Sequence, residues 1–269
     1  MKLIYFFDEK VKPIALRGKR IIHPADTGDI GKGIRCIRQY DVNIWFYTKG
    51  DTTIAFDAGH LNYPSTEKEF QKIGIDPLKI GHLFLTHVDV DHAGGIDRSG
   101  KNIFPNAQVY LGKMEELYLQ KKHHRFRRSG LRISNCVEIE EGYRLLHDME
   151  TIEVGDIHVQ ALHTPGHTLG HLCYLVDDKI LISGDALAIN EEGGYSFFDF
   201  FTQYPQMNKH SLALLKERLT DKKLEIICTG HSGYCMDIDR AFRHIDRSAP
   251  NSRRRPFDKN APYDLFAKE

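Results

Sequence analysis

Residues 86 to 95 read Thr-His-Val-Asp-Val-Asp-His-Ala-Gly-Gly, so four side chains able to bind a metal, His87, Asp89, Asp91 and His92, fall within six positions. Imidazole nitrogen and carboxylate oxygen are the donors that zinc, iron and manganese accept. His87 and Asp89 are two apart, so an extended backbone points both to one side. Asp91 and His92 are adjacent and need the chain to turn there, and Gly94 and Gly95 follow at once. A lone His or Asp at such a place reads as a polar loop. Four of them this dense read as a metal site.

More donors follow downstream. Residues 163 to 171 read His-Thr-Pro-Gly-His-Thr-Leu-Gly-His, which presents His167 between His163 and His171. Further on, Ser183-Gly184-Asp185 and Thr229-Gly230-His231 each close an apolar run, and Phe56-Asp57-Ala58-Gly59 closes an earlier one.

The elements that must position these residues are short strands. Residues 81 to 85, 172 to 176, 179 to 182 and 224 to 228 are apolar runs bounded by turn formers. Each donor therefore stands just after a strand, beside a glycine that lets backbone and metal approach closely. Residues 42 to 57 read as a hairpin around Lys49-Gly50-Asp51. Helices are expected at 65 to 73, capped by Ser65 or Thr66, at 113 to 119, at 211 to 219 with Leu212, Leu215 and Leu219 on one side, and at 237 to 246. A strand is expected at 131 to 137. The N-terminal Met-Lys-Leu-Ile-Tyr-Phe-Phe-Asp, with an acid at position 8 and no small-residue cleavage site, reads as a first strand, not a signal peptide.

The order of these signals, from about residue 42 to about residue 245, resembles the metallo-β-lactamase-fold hydrolase superfamily. The resemblance implies a four-layer αββα sandwich, two facing mixed sheets with helices outside, in one domain spanning 1 to 269 with an irregular tail from about 250. It implies two divalent metal ions per chain. One would take His87, Asp89 and His167; the other would take Asp91, His92 and His231; Asp185 would bridge them. Asp91 and Asp185 would carry the catalytic role, while Asp57 and His171 would support the ligands without binding metal. The implied chemistry is attack by a metal-bridging hydroxide on an ester-like bond of a small molecule: a lactone, carboxylic ester or thioester. The alternatives are a phosphodiester hydrolase and a diiron redox protein like the flavodiiron centres.

Relatives commonly show His-x-His-x-Asp-His where this chain has Asp89. Two divalent ions, one hydroxide and three carboxylates would make a formally neutral centre, one charge below the common pattern. A further hard oxygen also moves preference from zinc toward iron or manganese. The other reading is that Asp89 points away and leaves its set incomplete. Among the remaining histidines, His163 and His82 read as structural, whereas His60 borders either the cleft or the surface.

Substrate choice is expected from residues after Asp185. Tyr195, Phe197, Phe198, Phe200 and Phe201 follow the flexible Gly193-Gly194 and form either core or an apolar pocket wall. We take Tyr195 and Phe198, with His60 and Tyr234, as candidate substrate-binding residues. The overall pattern is most similar to the lactonase-like branch, including acyl-homoserine lactonases. That branch often has a tyrosine three residues beyond the bridging aspartate, where this chain has Ala188.

Composition bounds the rest. With 41% apolar and 28% charged residues, the 269-residue chain can bury a sizeable core and stay soluble. The 37 basic and 37 acidic residues offer no general attraction to nucleic acid. Basic runs at 121 to 128 and 253 to 255 read as solvated faces, the first of which could instead border the cleft and draw an anionic substrate. The absence of a long apolar run argues against a membrane span. Five scattered cysteines, Cys36, Cys136, Cys173, Cys228 and Cys235, point to reduced thiols and a cytoplasmic setting. The expected partner is a small-molecule substrate, with no nucleic acid and no membrane, and a homodimer among the assemblies allowed.

Overall fold

The strand Val42–Lys49 sends Ile44 and Phe46 into one apolar cluster and Trp45 and Tyr47 into another. Residues with a period of two on a strand necessarily split this way. Other strands do the same: Leu172, Tyr174 and Val176 face one cluster, and Cys173 and Leu175 face the next. The computed structural model describes residues 3–16, 19–128, 131–134 and 137–252. In it, one sheet has seven strands and a second has six.

Three apolar clusters fill the spaces between four layers. One lies between the helix Thr66–Ile73 and the seven-stranded sheet, holding Phe46, Phe70 and Leu83. The middle one joins the two sheets through Trp45, Phe56, Phe84, Tyr174 and Ile226. The third packs Leu212, Leu215 and Leu219 of the helical face against Leu175, Leu181 and Ile227. This is the expected αββα sandwich.

Within the first sheet, Thr52–Phe56 and His82–Phe84 run parallel; within the second, Ile180–Gly184 and Ile226–Thr229 do. Parallel neighbours end at the same edge, where open α/β sheets put their ligands. Asp57, His87, Asp185 and His231 follow these four strands closely and are delivered to that edge.

Three expectations need correction. The N-terminus is helical, as Leu3–Phe6, a π-turn at Phe7–Val11 and Lys12–Leu16, not a strand. Tyr5, Asp8, Lys12 and Leu16 are buried while Phe6, Lys10, Val11 and Ile14 are exposed, so the buried face repeats at helical spacing. That face contains two charged residues, which hides it from a reading based on apolar pattern. The expected helix at 237 to 246 is one turn, Ile238–Ala241, capped by the Asp237 side chain, followed by the strand His244–Ser248. That strand pairs in parallel with Gly194–Ser196. The helix expected at 211 to 219 starts earlier, at Pro205, because proline is tolerated in a first helical turn where its missing N–H has no partner to lose.

The hairpin and the helix after Ser65 are as expected, although the Ser65 side chain makes no capping bond. The described part of the strand expected at 131 to 137 is Leu131–Ile133, paired with Phe126–Arg128. Cys136 and the run 253 to 255 lie outside the described residues. Among the described residues, no helix is long and apolar enough to cross a membrane.

Candidate metal centre

Two sets of donor atoms meet at the sheet edge. His87, His167 and Asp185 form one and Asp91, His92 and His231 the other, each with its ligand atoms within 4.8 Å of one another. Asp185 reaches both: its Oδ2 is 3.6 Å from His167 Nε2 and 3.1 Å from His231 Nε2, and its Oδ1 is 3.3 Å from His92 Nε2. Asp89 Oδ2 lies 3.5 Å from His87 Nε2 and 3.4 Å from His167 Nε2. Asp91 Oδ2 lies 3.3 Å from His231 Nε2. Donors bound at about 2.1 Å around a tetrahedral ion stand about 3.4 Å apart. The residues fit the ions that their types suggest.

Hydrogen bonding supports the same conclusion. His87 Nε2, His92 Nε2 and Asp185 Oδ1 are buried without a hydrogen-bond partner. Unsatisfied buried polar atoms are costly, so three of them aimed at one place indicate a cation site. The outer nitrogens of His92, His231 and His87 are held instead, whereas His167 Nδ1 has no hydrogen-bond partner. His92 Nδ1 lies 2.8 Å from Asp57 Oδ2, His231 Nδ1 2.5 Å from the Asp41 carbonyl oxygen, and His87 Nδ1 3.0 Å from Thr86 Oγ1. Fixing one ring nitrogen turns the other toward the centre.

Asp57 thus stands behind His92 and is not among the clustered donors. It also accepts from the Thr86 N–H at 2.8 Å and the Thr86 hydroxyl at 2.9 Å. Its backbone is left-handed, φ +61°, a sparsely populated conformation that aspartate adopts more readily than most residues. We expect Asp57→Asn to lower metal affinity about 10- to 100-fold, checked by titration against a competing chelator. An unchanged affinity would show that His92 needs no carboxylate behind it.

His171 is also behind the ligands. Its Nδ1 lies 2.9 Å from Thr164 Oγ1 and its ring centre 5.3 Å from that of His87. His163 donates to the Leu169 carbonyl and His82 pairs with the Tyr110 hydroxyl, both structural roles.

Two cations flank the centre. The Lys12 ammonium is 2.5 Å from Asp91, 2.7 Å from Asp8 and 3.2 Å from Asp41. Arg125 Nε donates to both oxygens of Asp89, at 2.7 and 3.0 Å. Burial pushes each of the three carboxylates up. Arg125 for Asp89, Lys12 for Asp91 and His231 for Asp185 outweigh it and hold them well below the usual carboxylate range. Burial also opposes charge on His231, yet Asp185 and Asp91 bring it up to about 10. Burial and Arg125 together push His167 down to about 4.

Several candidates lie elsewhere. His60 is buried between Asp8 and Asp41, at 2.6 and 3.2 Å, and does not reach the surface. Tyr195 is directly opposite Ala188 in its hairpin, but its hydroxyl donates to Glu192 and its ring packs among Leu16, Ile21 and Phe198. Phe198 belongs to the same small core, and Tyr234 is 41% exposed. The aromatic residue at the centre is Phe197, stacked on His231 at 5.4 Å and edge-on to His167 at 5.4 Å.

Sequence reading also missed Glu115. It is fully buried and accepts from the Val88 and Gly170 N–H groups, both at 2.9 Å, tying the His87 loop to the His167 loop. No spacing rule joins residues so far apart in the chain.

The fold and this centre define an αββα sandwich with a His and Asp metal site at the strand ends. The chain belongs to the metallo-β-lactamase superfamily, whose family model matches residues 37–231. A probable polyketide biosynthesis zinc-dependent hydrolase of Bacillus subtilis is 34% identical over 122 residues, 44% of this chain and 45% of that protein. A probable metallo-hydrolase of the same organism is 30% identical over 146 residues, 54% and 65% of the two chains. An N-acyl homoserine lactonase of a Bacillus species is 26% identical over 167 residues, 60% and 59%. The chain thus spans less than two thirds of the length of each of these relatives. A class B3 di-zinc metallo-β-lactamase from an Alaskan soil metagenome has the same fold, with a TM-score of 0.57 and 21% identity over 78% of this chain and 79% of that one.

Proposed function

We propose that the chain is a metal-dependent hydrolase that cleaves an ester-like bond (lactone, carboxylic ester or thioester) in a small molecule. The carrying observation is the convergence of six donors in two sets, with His87 Nε2, His92 Nε2 and Asp185 Oδ1 unpartnered. Zinc is the first choice of ion, since a relative is described as zinc-dependent and carboxylates are ordinary zinc ligands. The centre has places for up to two ions. Bound there, they would supply Lewis acidity toward a carbonyl oxygen and a water acidic enough to attack at neutral pH.

The protein's part is to position and to exclude water. Asp185 fixes the spacing between the two sets, and Asp91, kept ionised beside Lys12, is placed to accept a hydrogen bond from the attacking water and orient it. Phe197 gives an apolar wall over two ligand imidazoles, against which the acyl or alcohol part of a substrate can lie. We expect Phe197→Ala to change the ranking of apolar esters and lactones, whereas Tyr195→Ala should cost about 3–5 kcal/mol of stability with the ranking unchanged. Rates on a graded acyl series, with urea melts alongside, separate the two. A changed ranking in the Tyr195 variant alone would move the wall from Phe197 to Tyr195.

The test of the function is a panel of lactones, esters, thioesters and phosphodiesters, assayed before and after chelation and after zinc is returned. Hydrolysis of one of the first three, lost with chelator and restored by zinc, is expected. Activity on phosphodiesters alone, or indifference to chelation, would contradict the proposal.

A further inference from the structure

We infer that Arg125 makes the two donor sets unequal: its guanidinium takes the place of an ion among His87, Asp89 and His167, so the chain holds one divalent ion tightly, with Asp91, His92, His231 and Asp185, and a second only weakly. The inference rests on reading the site as a metal centre.

Arg125 comes from the basic run 121 to 128, which by composition alone is a solvated face. Its side chain is only 4% exposed. Nε donates to both oxygens of Asp89, and a terminal N–H donates to His167 Nε2 at 3.0 Å and to the Phe201 carbonyl at 2.7 Å. An imidazole nitrogen has one lone pair, and a lone pair given to an N–H is not available to an ion. An ion bonded to His167 Nε2 and Asp89 would also stand against a guanidinium of like sign. Arginine stays charged in proteins, so loss of a proton does not relieve that repulsion. Two of the three donors are therefore engaged, and the Phe201 carbonyl helps keep the guanidinium there.

The other set is engaged differently. Lys12 reaches it through Asp91 alone, and Asp8 and Asp41 share the ammonium. His92 Nε2 and Asp185 Oδ1 are unpartnered, and His231 Nε2 faces only the carboxylates of Asp91 and Asp185. In that set His92 Nε2 is open and His231 Nε2 faces carboxylates, which an ion can share in place of the ring proton, whereas in the first set only His87 is open.

The test counts ions. Protein stripped with chelator is titrated with zinc against a chromophoric competitor, and the zinc retained after gel filtration is measured by mass spectrometry. We expect one retained equivalent, the second requiring about 10- to 100-fold more free zinc, the range expected for displacing charge-assisted hydrogen bonds. His231→Ala should lose the tight equivalent and His87→Ala should keep it. Arg125→Met, which keeps much of the apolar stem, should bring the second equivalent close to the first. Two equally tight equivalents in the wild type, or a single equivalent in a folded Arg125→Met variant, would overturn the inference and leave the hydrolase proposal standing. No bound zinc in the wild type would overturn both. If circular dichroism shows Arg125→Met unfolded, the wild-type count and the His87 and His231 variants decide the matter.

Discussion

Asp185→Asn should abolish tight metal binding and lower turnover by on the order of a thousandfold or more, since the metal supplies most of the catalysis. Asparagine keeps the volume of the side chain but removes its charge. Among the described residues, Asp185 is the one carboxylate within reach of His167, His92 and His231 together, and His231 and His92 are what hold it ionised. Its negative charge is therefore both a donor and the counter-charge for whatever cation enters. Elemental analysis of the purified variant, with the hydrolysis assay alongside, checks this. A variant with wild-type metal content and rate would show that Asp185 is a bystander and that the centre is organised by the other residues.

The second large effect involves no donor at all. Gly230→Ala should empty the centre while leaving every ligand in the sequence. A Cβ built on Gly230 would overlap Asp185 Oδ1 and lie 2.8 Å from His92 Cε1. The nearest atoms belong to two proposed ligands, so the added methyl must displace one of them from its position. Overpacking of this kind costs about 1–3 kcal/mol in stability, which a sandwich with three apolar clusters tolerates, but misplacing a ligand is far more damaging to metal affinity. We expect a folded variant by circular dichroism, with a modestly lower melting temperature and bound metal near zero. Normal metal content in that variant would mean the Asp185 carboxylate sits elsewhere when the ion is bound.

The donors were legible in the sequence because they stand in the loops that follow strands, and strands show themselves by apolar runs and turn residues. His87, Asp91, His92, His167, Asp185 and His231 meet as their positions suggest. The groups that tune them were not legible. Lys12 meets Asp91 across 79 positions and Arg125 meets Asp89 across 36, and no local periodicity encodes a long-range ion pair. That omission changes an electrostatic conclusion. The added negative charge of Asp89 is met by the Arg125 guanidinium, which donates to both of its oxygens. A net charge that differs from that of relatives is therefore no longer a ground for preferring iron or manganese. The aromatic cluster was misread by one position. Phe197 and Phe198 share one small core just past the strand Gly194–Ser196, and Phe197 is the one whose ring also meets His167 and His231, a difference no strand periodicity encodes. The N-terminal helix escaped notice because its buried face carries Asp8 and Lys12, charges satisfied only once Asp41, Asp91 and His60 are brought beside them.

If these side chains hold a catalytic metal, zinc should be visible among them. Anomalous diffraction from crystals grown with zinc, collected on both sides of the zinc edge, tests it most directly. We expect a strong peak within bonding distance of Asp91, His92, His231 and Asp185, and a weaker one or none beside Arg125 among His87, Asp89 and His167. A zinc-soaked crystal with no anomalous peak among these residues, their side chains ordered, would contradict it.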